Sequence, residues 1–356
     1  MIRSLVSLVL IATTPGIGVV TARARAHMLF RLGDPRITEA SGIARGIASP
    51  GVFYVENDSG DVNRFFAVDR RTGETAATVF VTGARNVDWE DLAVAGDRRS
   101  APSVWLADIG DNDAVRRTVQ LYELAEPHID PTWRNRTVRV SVAREWQLRY
   151  PGGPVDAESL AVSPGGTPYI VTKSFGGATV YRVPAWRPGG AVQTVRRVGR
   201  ISFHSTGTAN PFGLFGQIVA TGAAISASGR VFAVRTYSDV WAWRVTGSMA
   251  DTLRHKPVVM PLPRQPQGEG LTVIGNHAVV DSEHPHTAVY AVRLPRALTK
   301  PPPAVAPPQP SVSPTAQAGA GRAGSDGRNR SWWIGGGIAA VAVLVAGLVV
   351  AARRRR

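Results

Sequence analysis

The stretch Val87–Asp113, VDWEDLAVAGDRRSAPSVWLADIGDND, holds two short apolar segments, each with acidic residues at one end. Asp88, Glu90 and Asp91 surround the start of the first segment, and three further aspartates follow VWLA. Apolar residues alternate within each segment, which is typical of a half-buried β-strand, and the intervening GDRRSAPS has turn composition. Because the acids lie where strands begin or end, we expect them to meet at one functional mouth.

This unit occurs five times along the chain. Its first segment recurs as ASGIARG at Ala40, DWEDLAV at Asp88, DAESLAV at Asp156, TGAAISA at Thr221 and QGEGLTV at Gln267. A second and a third segment follow each copy, and a fourth, such as TAATVFVTG or RTVRVSVA, follows most of them. Four short strands repeated every roughly 45 to 70 residues indicate the blades of a β-propeller. We therefore predict an all-β chain with a five-bladed propeller over residues 27–299.

The sequence also bears on how the ring closes and on how many blades it has. The last copy shows only three segments, and HMLFRLGD at His27–Asp34 would supply its missing outer strand and hide two sheet edges. Six blades would follow if the loop His204–Gln217 formed a degenerate blade. A pair of β-sandwiches would explain the strands but not the recurrence of the same segments in the same order in each copy.

The two ends of the chain indicate export and membrane attachment. Residues 1–26 combine Arg3, an apolar run and small residues in the order of a signal peptide. Residues 332–352 form an uncharged stretch long enough, at about 1.5 Å per residue, to cross a bilayer of about 30 Å as a helix. Four arginines follow as a cytoplasmic basic tail at 353–356, and the Pro/Gly-rich segment 300–331 is predicted to be a linker. We expect a single-pass cell-membrane protein with its propeller on the extracytoplasmic side.

Composition excludes several classes of function. The formal net charge is +15, but residues 27–299 carry 30 basic and 25 acidic side chains, so the predicted propeller is only about +5. No basic stripe with interleaved aromatic residues is present, which argues against nucleic-acid binding. The chain contains no cysteine, and this excludes disulfides, thiolate metal sites and cysteine nucleophiles.

The acidic columns of the repeat predict a metal site. Aligned on their apolar residues, the first segments place Ser41, Glu90, Glu158, Ala223 and Glu269 in one column. The end of the second strand adds a column that contains Asn57, Asp108, Thr172, Arg235 and Asp281. Carboxylates that converge on the axis of a propeller need a counter-charge, and calcium accepts such mixed oxygen ligands. The candidate metal ligands are Glu90, Glu158, Glu269, Asn57, Asp108 and Asp281; alternatively, the acids only line a hydrated channel.

Basic residues at the same mouth indicate an anionic ligand. Lys173 and Arg235 lie on the blades with fewer acids, and His284 follows a second strand, so these three are the candidate ligand-binding residues. Each basic residue could equally pair with an acid of the rim. The sequence contains no Gly-x-Ser-x-Gly motif and no phosphate-binding glycine-rich loop, and no catalytic residue is assigned.

The segments ENDSGDVNRFFAVDRRTGE, NVDWEDLAV, LADIGDN and QGEGL resemble those of secreted actinobacterial β-propeller proteins over roughly Ile37–Val292. These are similar in turn to phytase-like and gluconolactonase-like propellers. The resemblance implies a propeller fold and, through the latter families, calcium-dependent hydrolysis of phosphate esters or lactones. No catalytic residue of those families matches a position of this chain one by one.

Three functions are compatible with these patterns. The first is a membrane-anchored propeller that binds a small-molecule or envelope ligand, of anionic character, at an acidic, calcium-holding mouth. The second is a metal-dependent hydrolase of phosphate esters or lactones, which would need no protein nucleophile because a metal activates water. The third is a protein-interaction scaffold of the cell envelope, which would need no acids at the rim.

Overall fold

A computed structural model describes residues 26–97 and 101–300 of the chain. The predicted signal peptide, linker, membrane span and basic tail lie outside the described residues, except for Ala26 and Lys300. Within the described ranges, no helix has the length and apolar character that crossing a bilayer requires.

Twenty-two strands and three short helices make up the described chain. The first half contains β1 (Ala26–Arg31), β2 (Ala40–Arg45), β3 (Val52–Asn57), β4 (Arg64–Asp69), β5 (Thr75–Thr82), β6 (Trp89–Ala95), β7 (Ser103–Asp108), β8 (Val119–Ala125), β9 (Arg136–Ser141), β10 (Arg144–Arg149) and β11 (Ala157–Val162). The second half contains β12 (Pro168–Thr172), β13 (Gly177–Arg182), β14 (Gln193–Thr194), β15 (Arg196–Ser202), β16 (Gly222–Ile225), β17 (Val231–Arg235), β18 (Asp239–Arg244), β19 (Val258–Pro261), β20 (Leu271–Ile274), β21 (His277–Val280) and β22 (Ala288–Arg293). The helices are α1 (Phe215–Ile218), α2 (Met249–Leu253) and α3 (Arg296–Thr299).

The strands form five sheets, which confirms the prediction of a five-bladed propeller. Blade 1 has the order β2-β3-β4-β5-β9, blade 2 β6-β7-β8-β10-β14, blade 3 β11-β12-β13-β15, blade 4 β16-β17-β18-β19 and blade 5 β20-β21-β22-β1. The alternative of six blades does not apply to the described chain, because the segment between β15 and β16 contains only α1 and no strand.

The first strand closes the ring. β1 pairs antiparallel with β22, from Ala26 opposite Val292 to Arg31 opposite Ala288. The sequence prediction that this segment completes the last blade is therefore confirmed. One strand from the start of the chain thus completes a sheet from its end, and β1 replaces β22 as the outer edge of blade 5.

One predicted fourth strand lies in a different blade. The order of segments predicts RTVRVSVA as the fourth strand of the second copy, but β9 adds in parallel to β5 of blade 1, and β10 takes the fourth position of blade 2. The valines of this segment, Val138, Val140 and Val142, pack against the core between blades 1 and 2. The alternating pattern of a strand does not specify which strand it pairs with. The burial of these valines between blades 1 and 2 therefore determines the blade that β9 joins.

Each pair of adjacent blades encloses its own apolar core. Blades 1 and 2 bury Tyr54, Phe65 and Trp89 between them, and four further clusters fill the remaining interfaces around the ring. The cluster between blades 5 and 1 includes Phe30 of β1 and Phe66 of β4. This packing fixes the five innermost strands, β2, β6, β11, β16 and β20, around the axis and brings their first residues together at one end of the channel.

Candidate functional site

The innermost strands present acidic side chains where they begin. In blades 1 to 3 the register shifts between Ala40 and Gly42, between Trp89 and Asp91, and between Ala157 and Ser159. The extra residue at each bulge is Ser41, Glu90 or Glu158. A bulge re-aims the side chain of the residue it adds. Glu269 lies at the same level in blade 5, just before β20, and the three glutamates are 2–3% exposed.

Five carboxylates form a cluster at this mouth, and we call them the acid cluster. Oxygens of Asp58, Asp88 and Glu90 all lie within 4.8 Å of one another, and so do oxygens of Glu90, Asp156 and Glu158. Glu90 belongs to both groups. Two predicted ligands, Glu90 and Glu158, are thus brought together, and Glu269 lies close enough to Glu158 to raise its pKa.

The loop after β7 holds this arrangement in place. The N–H of Gly110 donates to the carbonyl of Asp88 at 3.1 Å, and the N–H of Asp111 donates to Asp156 Oδ1 at 3.0 Å. A Cβ at position 110 would overlap Glu90 Oε1 and Asp88 Oδ2. Glycine is therefore required here, because the backbone passes directly against the carboxylates.

The five carboxylates of the acid cluster outnumber the ammonium group of Lys173 that pairs with one of them. Burial, followed by repulsion from Asp58, raises the pKa of Asp88 to about 7. Burial and the neighbouring Glu158 raise the pKa of Glu90 well above its ordinary value, and burial also raises that of Asp156. Within the described chain, Glu90 Oε1 is buried without a hydrogen-bond partner. A hard cation is the simplest group to satisfy these oxygens, and the donor set fits calcium, magnesium or manganese.

A lysine and a tyrosine border the acid cluster. The Lys173 ammonium forms an ion pair with Glu158 and lies 5.7 Å from the centre of the Tyr237 ring. Burial alone would lower the pKa of Lys173, but the Glu158 carboxylate outweighs it and raises that pKa above its ordinary value. Lys173 therefore stays charged at neutral pH, and this predicted ligand-binding residue lies at the mouth.

The pairing of the first and second strands shows that the sequence alignment of the repeats is out of register in blades 4 and 5. Gly42 pairs with Glu56 in blade 1, and Gly222 pairs with Arg235 in blade 4. Arg235 and Asp281 therefore occupy the position on their second strands that is equivalent to Glu56. This position is one residue further from the mouth than that of Asn57. On the inner strand, Thr221, and not Ala223, takes the place of the glutamates. The paired strands β16/β17 and β20/β21 show no register shift, whereas the inner strands of blades 1 to 3 each carry one, so an alignment on apolar residues alone does not place the two groups of blades in the same register.

The side chain of Arg235 is buried and bonded within the protein rather than directed to a ligand. It is fully buried, and its Nη1 donates to the carbonyls of Gly270 and Asp281, both at 2.7 Å. Its Nη2 donates to Gln265 Oε1 at 2.6 Å. Asp281 accepts from the N–H of Gly270 at 2.8 Å and lies 4.0 Å from Arg235. These two predicted site residues hold blades 4 and 5 together below the mouth.

The other predicted residues do not belong to the acid cluster, although Asp108 accepts from the N–H of Asp88 at 3.1 Å. Asn57 donates to the carbonyl of Arg36 at 2.8 Å and to Asp61 at 2.9 Å, and so holds the chain before β2. Asp108 forms an ion pair with Arg116 at 2.7 Å. His284 is exposed on the loop after β21 with φ of 83°. Ligand roles for these three residues remain predictions.

The predicted ligand set does not include Asp58, Asp88 or Asp156, and Tyr237 is not among the predicted site residues. The sequence did carry a signal for two of them. Asp88 and Asp156 each lie two residues before the glutamate of their blade, and side chains two apart in extended chain point to the same side. Asp58 comes from a different blade, so only the assembled ring places it beside Asp88.

No protein-family profile matches the chain, and no curated protein matches it. Among solved structures, a luciferin-regenerating enzyme aligns with a TM-score of 0.39 and 11% sequence identity, over 76% of this chain and 95% of that chain.

Proposed function

We propose that this protein is a propeller hydrolase whose acid cluster binds a divalent cation and whose substrates are small phosphate esters or lactones. The observation that carries the proposal is the convergence of five carboxylates around the unpartnered Glu90 Oε1, with Lys173 at their edge. In this proposal Glu90, Asp156 and Glu158 hold the cation, which is expected to be calcium. A bound cation of this kind polarises a carbonyl or phosphoryl oxygen and promotes ionisation of water.

The residues around the cation would transfer protons and stabilise charge during the reaction. The oxygen of a water forms a bond to the carbonyl carbon or to phosphorus, and the bond to the leaving oxygen breaks. The proton of that water would pass to Asp58 or Asp88, which form the second carboxylate group with Glu90, and the same aspartic acid would return a proton to the leaving oxygen. The Lys173 ammonium stabilises the negative charge that develops on the substrate. Tyr237 packs against Lys173 and orients it.

A second candidate function is ligand binding without hydrolysis. The ion pair between Lys173 and Glu158 favours it, because such a pair can recognise an anion and a cation together without any reaction. The envelope scaffold gains no specific support from the residues at the mouth.

The first test is calorimetric titration of the chelator-treated protein with calcium, magnesium and manganese. We expect binding of at least one of these ions at a single class of sites. Glu90→Gln removes the carboxylate shared by both groups, and it is expected to weaken binding by at least about a hundredfold. Even the loss of a residue that only orients a ligand costs about ten- to a hundredfold.

Asp113→Asn is the matched control, because Asp113 is an exposed acid on the same rim outside the acid cluster. This variant should bind the cation like the wild type. The loaded protein is then assayed on a panel of phosphate monoesters and lactones. Cation binding without hydrolysis of either class would favour the ligand-binding function, and absence of cation binding would refute the proposed site.

A further inference from the structure

Large apolar side chains are exposed beside the acid cluster. Phe175 is 72% exposed, Phe212 37%, Leu214 53% and Phe215 42%. We call these four residues the apolar collar. All of them lie at the end of the channel where the innermost strands begin, since Phe175 follows the second strand of blade 3 and the other three precede the first strand of blade 4. Exposed aromatic residues grouped in this way commonly mark a binding surface.

The apolar collar is joined to the acid cluster by a chain of contacts. Phe212 and Phe215 stack on Tyr237, with ring centres 4.6 Å and 6.3 Å apart. Tyr237 lies 5.7 Å from Lys173 Nζ, and Lys173 pairs with Glu158. The first ring of the collar is thus no more than about 10 Å from the ammonium group. One small molecule can span both regions.

Polar side chains fix the loop that carries most of the collar. Gln217 Oε1 accepts from Ser205 at 2.8 Å and from the N–H groups of Thr206 and Gly207 at 2.8 and 3.0 Å. Asp239, which is fully buried, accepts from the hydroxyl of Thr206 at 2.8 Å and from that of Thr208 at 2.7 Å. The loop is therefore held in one conformation that leaves its aromatic side chains exposed, which lowers the entropic cost of binding on them.

Phe175 joins the same surface from the neighbouring blade. The N–H of Gly176 donates to the carbonyl of Ile218 at 3.2 Å, and the N–H of Phe203 donates to the carbonyl of Gly176 at 3.3 Å. These bonds tie the loop of Phe175 to both ends of the loop that carries Phe212. The mouth consequently has two unlike halves, with carboxylates from blades 1 to 3 on one side and apolar rings from blades 3 and 4 on the other.

We propose that the apolar collar is the subsite for the apolar part of the substrate, so that the substrate is an ester or lactone with an extended alkyl or aromatic substituent. This inference rests on the proposed hydrolase function. The reacting group lies at the acid cluster and Lys173, and the substituent lies across Tyr237 onto Phe212 and Phe215. Small, fully hydroxylated sugar lactones and sugar phosphates do not match this half of the mouth.

The test compares ligands that differ only in chain length. The cation-loaded protein is assayed on γ-butyrolactone, γ-hexalactone and γ-decalactone, and binding of butyl-, hexyl- and decylphosphonate is measured by calorimetry. We expect both kcat/KM and affinity to rise about tenfold or more from the shortest to the longest member, because each buried methylene contributes favourable transfer free energy. The double variant Phe212→Ala/Phe215→Ala should reduce this rise to about threefold or less.

The matched control is Ile47→Ala, which removes an apolar side chain of similar exposure (41%) from the opposite face of the propeller. It should leave the chain-length dependence as in the wild type. If the double variant unfolds at a lower temperature, Leu214→Ser replaces it, since the Leu214 side chain is the more exposed. Hydrolysis with a flat dependence on chain length would overturn the subsite and leave the proposed function standing.

Phosphonate binding that strengthens with chain length, in a protein that hydrolyses no lactone or phosphate ester, would overturn the hydrolase and keep the subsite. A third outcome concerns a different partner. If the double variant loses binding to phosphatidylcholine vesicles but keeps the wild-type chain-length dependence, the collar contacts a lipid surface and the substrate subsite is refuted.

Discussion

At the residue scale, one aspartate joins three of the innermost strands. Asp91 is fully buried, and its Oδ2 accepts from the N–H of Leu160 at 2.7 Å and from that of Ala223 at 3.3 Å. Its Oδ1 accepts from its neighbour Leu92 at 2.9 Å. Burial raises the pKa of Asp91 well above its ordinary value despite these bonds. It contacts blades 3 and 4 from blade 2, so its role is to hold the ring below the acid cluster.

Asp91→Ala is expected to lower the free energy of unfolding by about 2–5 kcal/mol. It would leave buried N–H groups of blades 3 and 4 without their acceptor, at about 1–3 kcal/mol each. The control is Ser159→Ala, because Ser159 holds the same register position in blade 3 and its buried hydroxyl has no hydrogen-bond partner in the described chain. This change should cost less than about 1 kcal/mol. Equal urea midpoints for the two variants would contradict the role given to Asp91.

At the element scale, β1 is the strand on which closure depends. It completes blade 5 from the other end of the chain, and its Phe30 ring lies 5.6 Å from that of Phe53 in blade 1. The segment after it is held by Asp34, which Arg36 contacts at 2.6 Å. Burial alone would raise the pKa of Asp34, but the hydrogen bonds from Arg36 outweigh it and bring that pKa to about 2. The closing strand is thus fixed on both sides.

Phe30→Ala is expected to destabilise the propeller by about 3–5 kcal/mol, because the ring is 4% exposed and its removal leaves a cavity between blades 5 and 1. Met28→Ala on the same strand changes a side chain that is 51% exposed and should cost less than about 0.5 kcal/mol. Thermal unfolding followed by circular dichroism measures both. A Phe30 variant as stable as the Met28 variant would mean that β1 adds little to closure.

At the scale of the whole molecule, the residues after β22 also belong to the folded propeller. Arg244 of β18 donates to the carbonyls of Ala297 and Lys300 at 2.9 and 2.5 Å, and Leu298 of α3 is buried in the core between blades 4 and 5. The folded body therefore extends to Lys300, and the proposed membrane attachment comes from residues beyond it.

A chain that ends after Lys300 is expected to fold and to be released into the medium when it is expressed with its predicted signal peptide. The full-length chain should remain in the membrane fraction. Fractionation followed by immunoblotting compares the two, and their melting temperatures should agree within a few degrees after the full-length protein is solubilised in detergent. A truncated chain that stays in the membrane fraction would show that residues 1–26 anchor the protein.

The sequence by itself determined the class of fold, the number of blades and the closing strand, because alternation and repeat length are local properties of the chain. It also indicated Glu90 and Glu158, since their repeats carry the same residue at the same place. Tertiary structure alone decided that β9 joins blade 1, that Arg235 and Asp281 lie one level deeper, and that Asp58 meets Asp88. The physical reason is that bulges and partner choice depend on burial between blades, and a one-residue shift moves a side chain to the other face of its sheet.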